Sequence, residues 1–363
     1  MSSTSSIARL FAAAVVIALA LVSGASTALQ AQATLQVVAS GLDNPRGITL
    51  GPDGALYVAE AGRGGTSLLC HVSSDLGTRC YGPSGAVTRI TGIGVQQRVL
   101  TGLPSIAQAD GNTAQGPNDI EFGLGSAWIL IGFGGNPLGR QVFEAANIRL
   151  GSLVRATGIE QWAHALDIAD HELNDPDGTG AYSNPFGLRV ESDRILVADA
   201  GANALFHIGL FGQTSTIGVF PAFQVGPATV QSVPTAVVEG PDGALYVAEL
   251  TGAPFLVGAA RIYRLPPGGG TPVVVATGFT NIIDLVYDSN TGNAYVLEHD
   301  ADGIIQPGVD GRLIRIGPTG ALTVIAQAGL VKPGGVAVGA DGALYVTRRT
   351  DFAGTGDVVR IVP

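Results

Sequence analysis

Short apolar runs alternate with turns rich in glycine and aspartate along most of the chain. The clearest pattern is GPDGALYVAE at residues 51–60, which recurs unchanged at residues 240–249 and as GADGALYVTR at residues 339–348. Asp-Gly between two apolar runs is a strong signal for a tight hairpin turn. Each copy therefore predicts two adjacent antiparallel strands.

Looser copies at residues 125–131, 192–199 and 291–298 fill the gaps and bring the number of repeats to six. In every repeat a third strand is predicted after the hairpin, and it carries one basic residue near its end: Arg89, Arg155, His207, Arg264, Arg315 and Arg360. A residue type repeated in every unit indicates a structural role. We expect it to pair with the turn of the neighbouring blade.

A fourth β-rich segment precedes each hairpin, at residues 35–39, 97–100, 161–163, 216–219, 272–276 and 322–326. The last repeat ends at its third strand, residues 358–362, so the first segment is left over. Pairing the two completes six four-stranded sheets and removes the open edge that would promote aggregation. The sequence thus predicts an all-β, six-bladed β-propeller whose ring is closed by the N-terminal strand.

The N-terminal segment lacks the repeat pattern. Arg9 precedes an apolar run from Leu10 to Val22, and Ala31-Gln32-Ala33 ends the segment. Because a bilayer crossing needs roughly 20 apolar residues, this shorter run predicts a secretory signal peptide over residues 1–33 and a single propeller domain over residues 34–363. We expect a secreted or periplasmic protein with no membrane span after cleavage.

The chain is acidic, with 19 Lys and Arg residues against 29 Asp and Glu residues and a formal charge of −10. Loss of Arg9 with the signal peptide would leave 18 basic residues and a charge of −11. Phosphate backbones bind basic surfaces, so no nucleic-acid partner is expected. Oxidation is the default in an exported protein, and the only two cysteines, Cys70 and Cys80, are predicted to form a disulfide rather than a zinc or redox pair.

Insertions into the repeat are concentrated in three blades. Blade 1 carries the loop between Cys70 and Cys80, blade 2 has residues 101–116 and 133–151, and blade 3 begins with residues 166–183. The start of a first strand and the end of a second strand share one face of a propeller, so we expect a small polar ligand or a protein to bind there. Residues 164–178 hold histidines and acids that suit a metal, but an acidic helix with a Pro/Gly turn is commoner, and no chemistry is assigned to them.

Two blades differ from the rest where their first strands begin. The third residue there is small in four blades but is Asp119 in blade 2 and Asp284 in blade 5, which lie opposite each other in a ring of six. Two carboxylates that meet without a cation repel each other, and one takes up a proton. We therefore expect a divalent metal ion, for which calcium suits the oxygen ligands, or Arg46 beside Asp119 and Asp284.

Further ligand-binding candidates are polar residues expected on the same face. They are Arg46, Asn118, Thr235 and Asn281 near the first strands, and Glu60, Glu249 and Glu298 at the ends of the second strands. Asp199 and Arg348 take the strand-two place in blades 3 and 6. The alternative for the acids is that they pair with arginines of the third strands and hold the blades together.

Motifs of nucleophilic, zinc or phosphate-binding sites do not occur in the sequence. There is no G-x-S-x-G elbow, no H-E-x-x-H and no paired C-x-x-C, and the glycines of residues 132–135 lack the lysine and the helix of a phosphate-binding loop. No catalytic residue is assigned, and whether the protein is an enzyme stays open.

Five segments resemble the ScyD/ScyE family. They are NPRG at 44–47, GPND at 116–119, SNPFGL at 183–188, GAARIYR at 258–264 and GFTNIIDL at 278–285. The resemblance covers essentially the whole predicted mature chain. The family is named after the biosynthesis of scytonemin, an indole-phenol pigment, and is similar to NHL-repeat propellers. This resemblance implies the propeller fold and export, without a reaction.

More distantly, Pro117-Asn118-Asp119 is similar to a stretch of the gluconolactonase/senescence-marker propellers, which bind a divalent metal in the channel. That similarity implies a substrate-side role for Asn118 and a metal-bound role for Asp284. Arg46 departs from the pattern of those propellers, which have a glutamate metal ligand in that blade.

Taken together, these features predict an exported binding or scaffold propeller with a ligand or a divalent metal ion, calcium being the candidate, at the mouth of the central channel. Two alternatives stay open: a metal-dependent hydrolase or lactonase, and an accessory protein in the maturation of an exported aromatic metabolite.

Overall fold

Antiparallel sheets arranged as six blades around a central channel form the fold, as the repeats predict. The structure, a computed structural model, describes residues 33–73, 77–158, 160–304, 308 and 310–362. The predicted signal peptide lies outside these residues apart from Ala33. In the described part of the chain, no helix has the length and apolar character needed to cross a bilayer.

The first half of the ring follows the chain blade by blade, after an entering strand β1 (Leu35–Leu42). Blade 1 consists of β2 (Pro45–Leu50), β3 (Leu56–Glu60), β4 (Cys70–Ser73), β5 (Gly77–Gly92) and β6 (Val95–Ala107). Blade 2 consists of β7 (Pro117–Gly123), β8 (Ser126–Ile131), β9 (Ser152–Gly158) and β10 (Gln161–Asp167). Blade 3 consists of β11 (Pro185–Val190), β12 (Arg194–Asp199), β13 (Ala204–Gly209) and β14 (Thr214–Val219).

The second half begins after a short hairpin of β15 (Phe223–Val225) and β16 (Ala228–Val230). Blade 4 consists of β17 (Pro234–Glu239), β18 (Leu245–Glu249), β19 (Ala260–Leu265) and β20 (Val273–Phe279). Blade 5 consists of β21 (Ile282–Asp288), β22 (Asn293–Glu298), β23 (Arg312–Ile316) and β24 (Leu322–Ala326). Blade 6 contains β25 (Val336–Val338), β26 (Leu344–Arg348) and β27 (Gly356–Ile361).

The ring is closed by β1, which pairs antiparallel with β27 and supplies the fourth strand of blade 6. Leu35 lies opposite Ile361, and Val37 lies opposite Val359. This confirms the predicted closure. Blade 1 departs from the four-strand pattern only by the addition of β4 to the edge of β5.

The hairpin turns of blades 1, 4 and 6 are held by the basic residues of the third strands. Arg89 lies opposite Tyr57 in the sheet and forms an ion pair with Asp53 at 2.5 Å. Arg264 and Arg360 pair in the same way with the turn aspartates of blades 4 and 6. The structural role is as predicted, but the expected partner was wrong. In these three blades, strand pairing brings the arginine to the turn of its own blade, not to that of a neighbour.

The core lies between the blades, where apolar faces pack against one another. Between blades 6 and 1, Ile48, Val58 and Ile90 belong to one cluster with Ala337 and Val358. Full burial of a large aliphatic side chain stabilises by about 1.5–3 kcal/mol. Blade-to-blade packing of this kind fixes the inner strands that surround the channel.

The insertions of blades 2 and 3 contact each other. The blade 2 insertion contains a 3₁₀ turn (Pro137–Arg140) followed by α1 (Gln141–Glu144), and the blade 3 insertion contains a 3₁₀ turn (Ala169–Asn174). Gly135 and Ser183 exchange two backbone hydrogen bonds of 3.2 and 3.0 Å between these loops.

In blade 1, Cys70 of β4 and Cys80 of β5 lie directly opposite each other. They form the predicted disulfide.

Candidate functional site

The third residue of each inner strand lies where neighbouring blades approach closely. A Cβ atom at Gly187 would be 2.4 Å from the carbonyl oxygen of Thr235, and one at Gly335 would be 2.7 Å from that of Arg46. A Cβ atom at Gly47 would be 2.1 Å from Oδ1 of Asp119. Small residues are therefore required at this place in most blades, and Gly47 leaves room for the Asp119 carboxylate.

Asp119 and Asp284 make equivalent contacts at this place in blades 2 and 5. In each, Oδ1 accepts the N–H of the following residue of its own strand at 2.8 Å. Oδ2 of Asp119 accepts the N–H of Leu188 in blade 3 at 2.8 Å, and Oδ2 of Asp284 accepts that of Val336 in blade 6 at 2.7 Å. Each carboxylate thus joins two blades. A carboxylate has about four lone-pair sites, so each oxygen can still accept another contact.

A cavity of about 360 Å³ occupies the channel, and Asp119 and Asp284 both line it. Glu121 and Arg189, from the inner strands of blades 2 and 3, also line it, and it extends to Asn290 in the turn after β21. That turn lies at the opposite end of the channel from the strand entries, whereas the insertions suggest a ligand at the entry end. The structure therefore places the two aspartates in one cavity, within the channel rather than at its insertion-bearing mouth.

The channel carboxyls are surrounded by protein and by one another. Burial, and then the proximity of Asp284 and Glu121, raise the pKa of Asp119 well above its ordinary value. Burial raises the pKa of Asp284 to about 7. Burial also raises the pKa of Glu121 to about 7, with Asp284 adding to the shift and Arg189 opposing it. Near neutral pH these groups therefore favour either a bound proton or a cation.

Arg189 is the one basic side chain among the described residues that line this cavity. Its guanidinium is already paired with Glu191 at 3.0 Å and with Glu239 at 2.9 Å. It therefore leaves the charge of Asp119 and Asp284 largely uncompensated.

Three of the predicted ligand-binding residues make bonds between blades. The amide of Asn118 donates to the carbonyl oxygen of Pro185 at 2.8 Å, and the hydroxyl of Thr235 donates to that of Ile282 at 2.8 Å. The amide of Asn281 donates to the carbonyl oxygen of Leu250 at 3.0 Å. All three side chains are buried.

Arg46 belongs to a cluster of charges at the entry end of the channel. Its Nη2 donates to the carbonyl oxygen of Ala114 at 3.1 Å and lies 3.4 Å from Oδ1 of Asp351. Nε2 of His299 is 3.6 Å from the other oxygen of Asp351, and Lys332 pairs with buried Asp300. Although burial opposes it, the His299 contact and the Arg46 charge hold the pKa of Asp351 below its ordinary range. Arg46 is thus engaged by Asp351 and does not serve as the expected counter-charge of the channel aspartates.

The predicted acids at the ends of the second strands are fully buried and lie in ion pairs. Glu60 pairs with Arg98 of the fourth strand of its blade, at 2.7 Å. The other pairs, each at 2.6 Å, are Glu249–Arg261 and Glu298–Arg312, in which the arginine lies in the third strand. Asp199 instead accepts hydrogen bonds from the Ser183 hydroxyl and from backbone N–H groups. Glu249 and Glu298 thus match the structural alternative of pairing with third-strand arginines, whereas Glu60 and Asp199 have other partners. None of the four acids lines the channel cavity.

Glu121, His299 and Asp351 are site residues that the sequence analysis did not single out. Glu121 carries a recognisable signal, because it lies two residues after Asp119 and strand residues of that spacing share a face. His299 directly follows Glu298, but its contact with Asp351 links blades 5 and 6 and has no local sequence pattern.

No protein-family model matches the chain, and no curated protein sequence matches it. Among solved structures, a glucose dehydrogenase aligns over 91% of this chain and 99% of its own, with a TM-score of 0.51 and 12% identity. The chain shares that fold. A virginiamycin B lyase from Staphylococcus aureus aligns over 92% of this chain and 100% of its own, with a TM-score of 0.48 and 15% identity. The soluble aldose sugar dehydrogenase from Escherichia coli aligns over 92% of this chain and 100% of its own, with a TM-score of 0.49 and 12% identity. At 12% identity, the likeness to the glucose dehydrogenase shows the fold alone.

Proposed function

We propose that the protein is an exported binding propeller that holds a small cationic ligand in its acidic channel. The observation that supports this most directly is the meeting of Asp119, Glu121 and Asp284 in one cavity of about 360 Å³. Burial and mutual repulsion disfavour their ionised forms. A bound cation would replace the protons that these groups otherwise retain.

The ligand would carry either a protonated amine or a divalent ion such as calcium. In the described part of the chain, the acids that come within 4.8 Å of one another in groups of three do not include Asp119, Glu121 or Asp284. A single metal ion would therefore reach only some of the channel acids directly. A small organic ligand with two amino groups would contact several of them at once, and the geometry favours that ligand.

The test is calorimetric titration of the mature protein at pH 7 with putrescine and, separately, with calcium chloride. Asp119→Asn with Asp284→Asn should remove the binding event that belongs to the channel, for whichever probe occupies it. Because asparagine loses one acceptor for the backbone N–H groups, Glu121→Gln is the second variant, since it removes a channel charge and leaves those bonds in place. Asp193→Asn, in an exposed turn, is the matched control and should bind as the wild type does.

Binding of one probe that is weakened in the channel variants and unchanged in Asp193→Asn would support the proposal. The identity of the probe would then decide between amine and metal. Absence of binding for both probes, or equal binding in all variants, would contradict it.

Export is part of the same proposal. It is supported by the signal-like N-terminus and by the Cys70–Cys80 disulfide, since disulfides persist in oxidising compartments. Membership of the ScyD/ScyE family, and with it a role in maturing an exported aromatic metabolite, rests on the resembling segments alone. A hydrolase or lactonase is less well supported, because Arg46 pairs with Asp351 where the lactonase propellers call for a glutamate ligand.

A further inference from the structure

A second acidic cluster lies in the loop that leads into blade 3 and does not line the channel cavity. One carboxylate oxygen from each of Glu172, Asp175 and Asp177 lies within 4.8 Å of the others. Glu172 belongs to the 3₁₀ turn Ala169–Asn174, and Asp175 follows that turn with a φ of 48°. The fold of the loop therefore brings three acids together over a few residues.

Glu172 is the feature that distinguishes this cluster from an ordinary acidic surface. Its side chain is fully buried. Oε1 accepts one long hydrogen bond, 3.4 Å from the Tyr182 nitrogen, whereas Oε2 is buried and has no hydrogen-bond partner. Buried polar atoms are normally paired, because leaving one without a partner costs free energy. The position of Glu172 therefore points to a ligand.

The charged groups that act on Glu172 are all acidic. Asp175 and Asp177 lie beside it in the cluster, and Asp199 is a third acid close enough to interact with it. Among the described residues, no ion pair joins a lysine, arginine or histidine to any of these four acids. The cluster thus holds an excess of negative charge that nothing in the loop offsets.

A neighbouring acidic cluster shows the contrasting arrangement. Glu144, Asp167 and Asp170 also come within 4.8 Å of one another. There the buried guanidinium of Arg140 lies among the acids, 2.9 Å from Asp167, 2.5 Å from Asp170 and 3.4 Å from Glu144. One cluster contains its own cation, and the other lacks one.

We propose that Glu172, Asp175 and Asp177 bind a calcium ion that holds the entry loop of blade 3 against the ring. Calcium takes six to eight oxygen ligands at about 2.3–2.6 Å, so two ligands of one ion lie at most about 5 Å apart. The separations in the cluster meet this condition. Every ligand is a carboxylate oxygen, which suits a hard cation and not zinc, whose sites favour nitrogen and sulfur.

The ion would stabilise a loop that is already tied to its surroundings. The Asn203 amide donates to Oδ2 of Asp177 at 2.7 Å, and the Gly180 N–H donates to Oδ1 of Asp175 at 3.0 Å. Ser183, at the end of the loop, forms the backbone pair with Gly135 of blade 2. Calcium would thereby fix part of the insertion-bearing face.

The test is calorimetric titration of the mature, EGTA-treated protein with calcium chloride. The variants are Glu172→Gln and Asp175→Asn, with Asp193→Asn as a control of equal charge change in an exposed turn of the same blade. Asparagine tolerates a positive φ, so Asp175→Asn keeps the loop conformation even where the buried Glu172→Gln change disturbs folding. All titrations are repeated with Asp119→Asn and Asp284→Asn in place, which removes a calcium contribution from the channel.

We expect Glu172→Gln and Asp175→Asn each to lower calcium affinity at least tenfold, while Asp193→Asn leaves it unchanged. The difference should persist when the channel aspartates are replaced. No calcium binding by the wild-type protein at millimolar calcium would overturn the proposal. So would wild-type affinity in Asp175→Asn, or loss of all calcium binding on replacing the channel aspartates alone.

Discussion

Arg348 and Asp357 form a buried ion pair in blade 6 with two parallel N–O contacts of 2.7 Å. They lie opposite each other in the sheet, as Glu298 and Arg312 do in blade 5. The charges are reversed between the two blades, because the acid ends the second strand in blade 5 and begins the third strand in blade 6. Blades 5 and 6 therefore share a pair of opposite charges at this place rather than a residue type.

This reversal predicts that the pair in blade 6 can be exchanged as a unit. Arg348→Glu or Asp357→Arg alone places like charges together in a buried site and should lower the free energy of unfolding by about 3–5 kcal/mol. Both changes together should restore part of the loss but not all of it, because Arg349, which also pairs with Asp357 at 2.5 Å, then faces the introduced arginine. Urea unfolding followed by circular dichroism measures this coupling. If the double variant loses as much free energy of unfolding as the two single variants together, the two residues do not stabilise the protein through their ion pair.

The channel carboxyls predict a stability that falls with pH. In the folded protein the pKa of Glu121 is about 7, above the value of about 4.3 for an unperturbed glutamate. The folded state therefore binds this proton more tightly than the unfolded state. The resulting stability is fully present below about pH 4 and is lost as the pH rises through about 7.

Glu121→Gln isolates this contribution, since glutamine does not titrate. Relative to the wild type, the variant should gain up to about 3 kcal/mol between pH 4.5 and pH 8, at about 1.4 kcal/mol per pH unit. Urea unfolding at both pH values gives the difference. A constant difference between variant and wild type would mean that Glu121 titrates alike in both states.

The Cys70–Cys80 disulfide should contribute to stability through the loop that it closes. The two residues are separated by 10 positions, which corresponds to about 2–3 kcal/mol in the chain-entropy model. Replacing both cysteines by serine should lower the free energy of unfolding by that amount, and a reducing agent should have the same effect on the wild type. The serine variant is its own control, because the reducing agent should leave it unchanged.

Because the inner strands lie close together, replacing a glycine there by alanine should lower the free energy of unfolding, whereas the same change at an open position should not. The Cβ of Gly335→Ala would lie 2.7 Å from the Arg46 carbonyl oxygen, an atom of the backbone. Overpacking of this kind costs about 1–3 kcal/mol. Gly92→Ala in β5 is the matched control, since its Cβ would meet no atom within 4 Å. Equal stability of the two variants in thermal unfolding would rule out a steric requirement at Gly335.

The elements predicted best are those encoded within a single repeat. The Asp53-Gly54 turn and the strands on either side follow from local backbone preference, and closure by residues 35–39 follows from counting strands. Asp119 and Asp284 emerged because aligned repeats expose the residue that differs. Each of these inferences compares a position with its equivalents along the chain.

Aligning the repeats does not show which side chains of different blades contact each other. Arg46 pairs with Asp351, and Asn118 reaches the carbonyl oxygen of Pro185, through contacts that depend on how blades pack. The buried, unpartnered oxygen of Glu172 is likewise a property of the folded loop. Sequence patterns identified the acids of residues 164–178, but only the folded structure shows that Arg140 lies among the acids of one cluster, whereas in the described part of the chain no basic side chain is paired with Glu172 in the other.

The pairing of β1 with β27 orders the events of biogenesis. β1 is made before every other strand of the ring and β27 after them, so blade 6 cannot be completed until synthesis has passed through all the other blades. During synthesis, the first strand therefore leaves the ribosome early and stays unpaired until β27 follows. The ring can close only after β27 has been synthesised. A chain that stalls before Gly356 would leave β1 without a pairing strand.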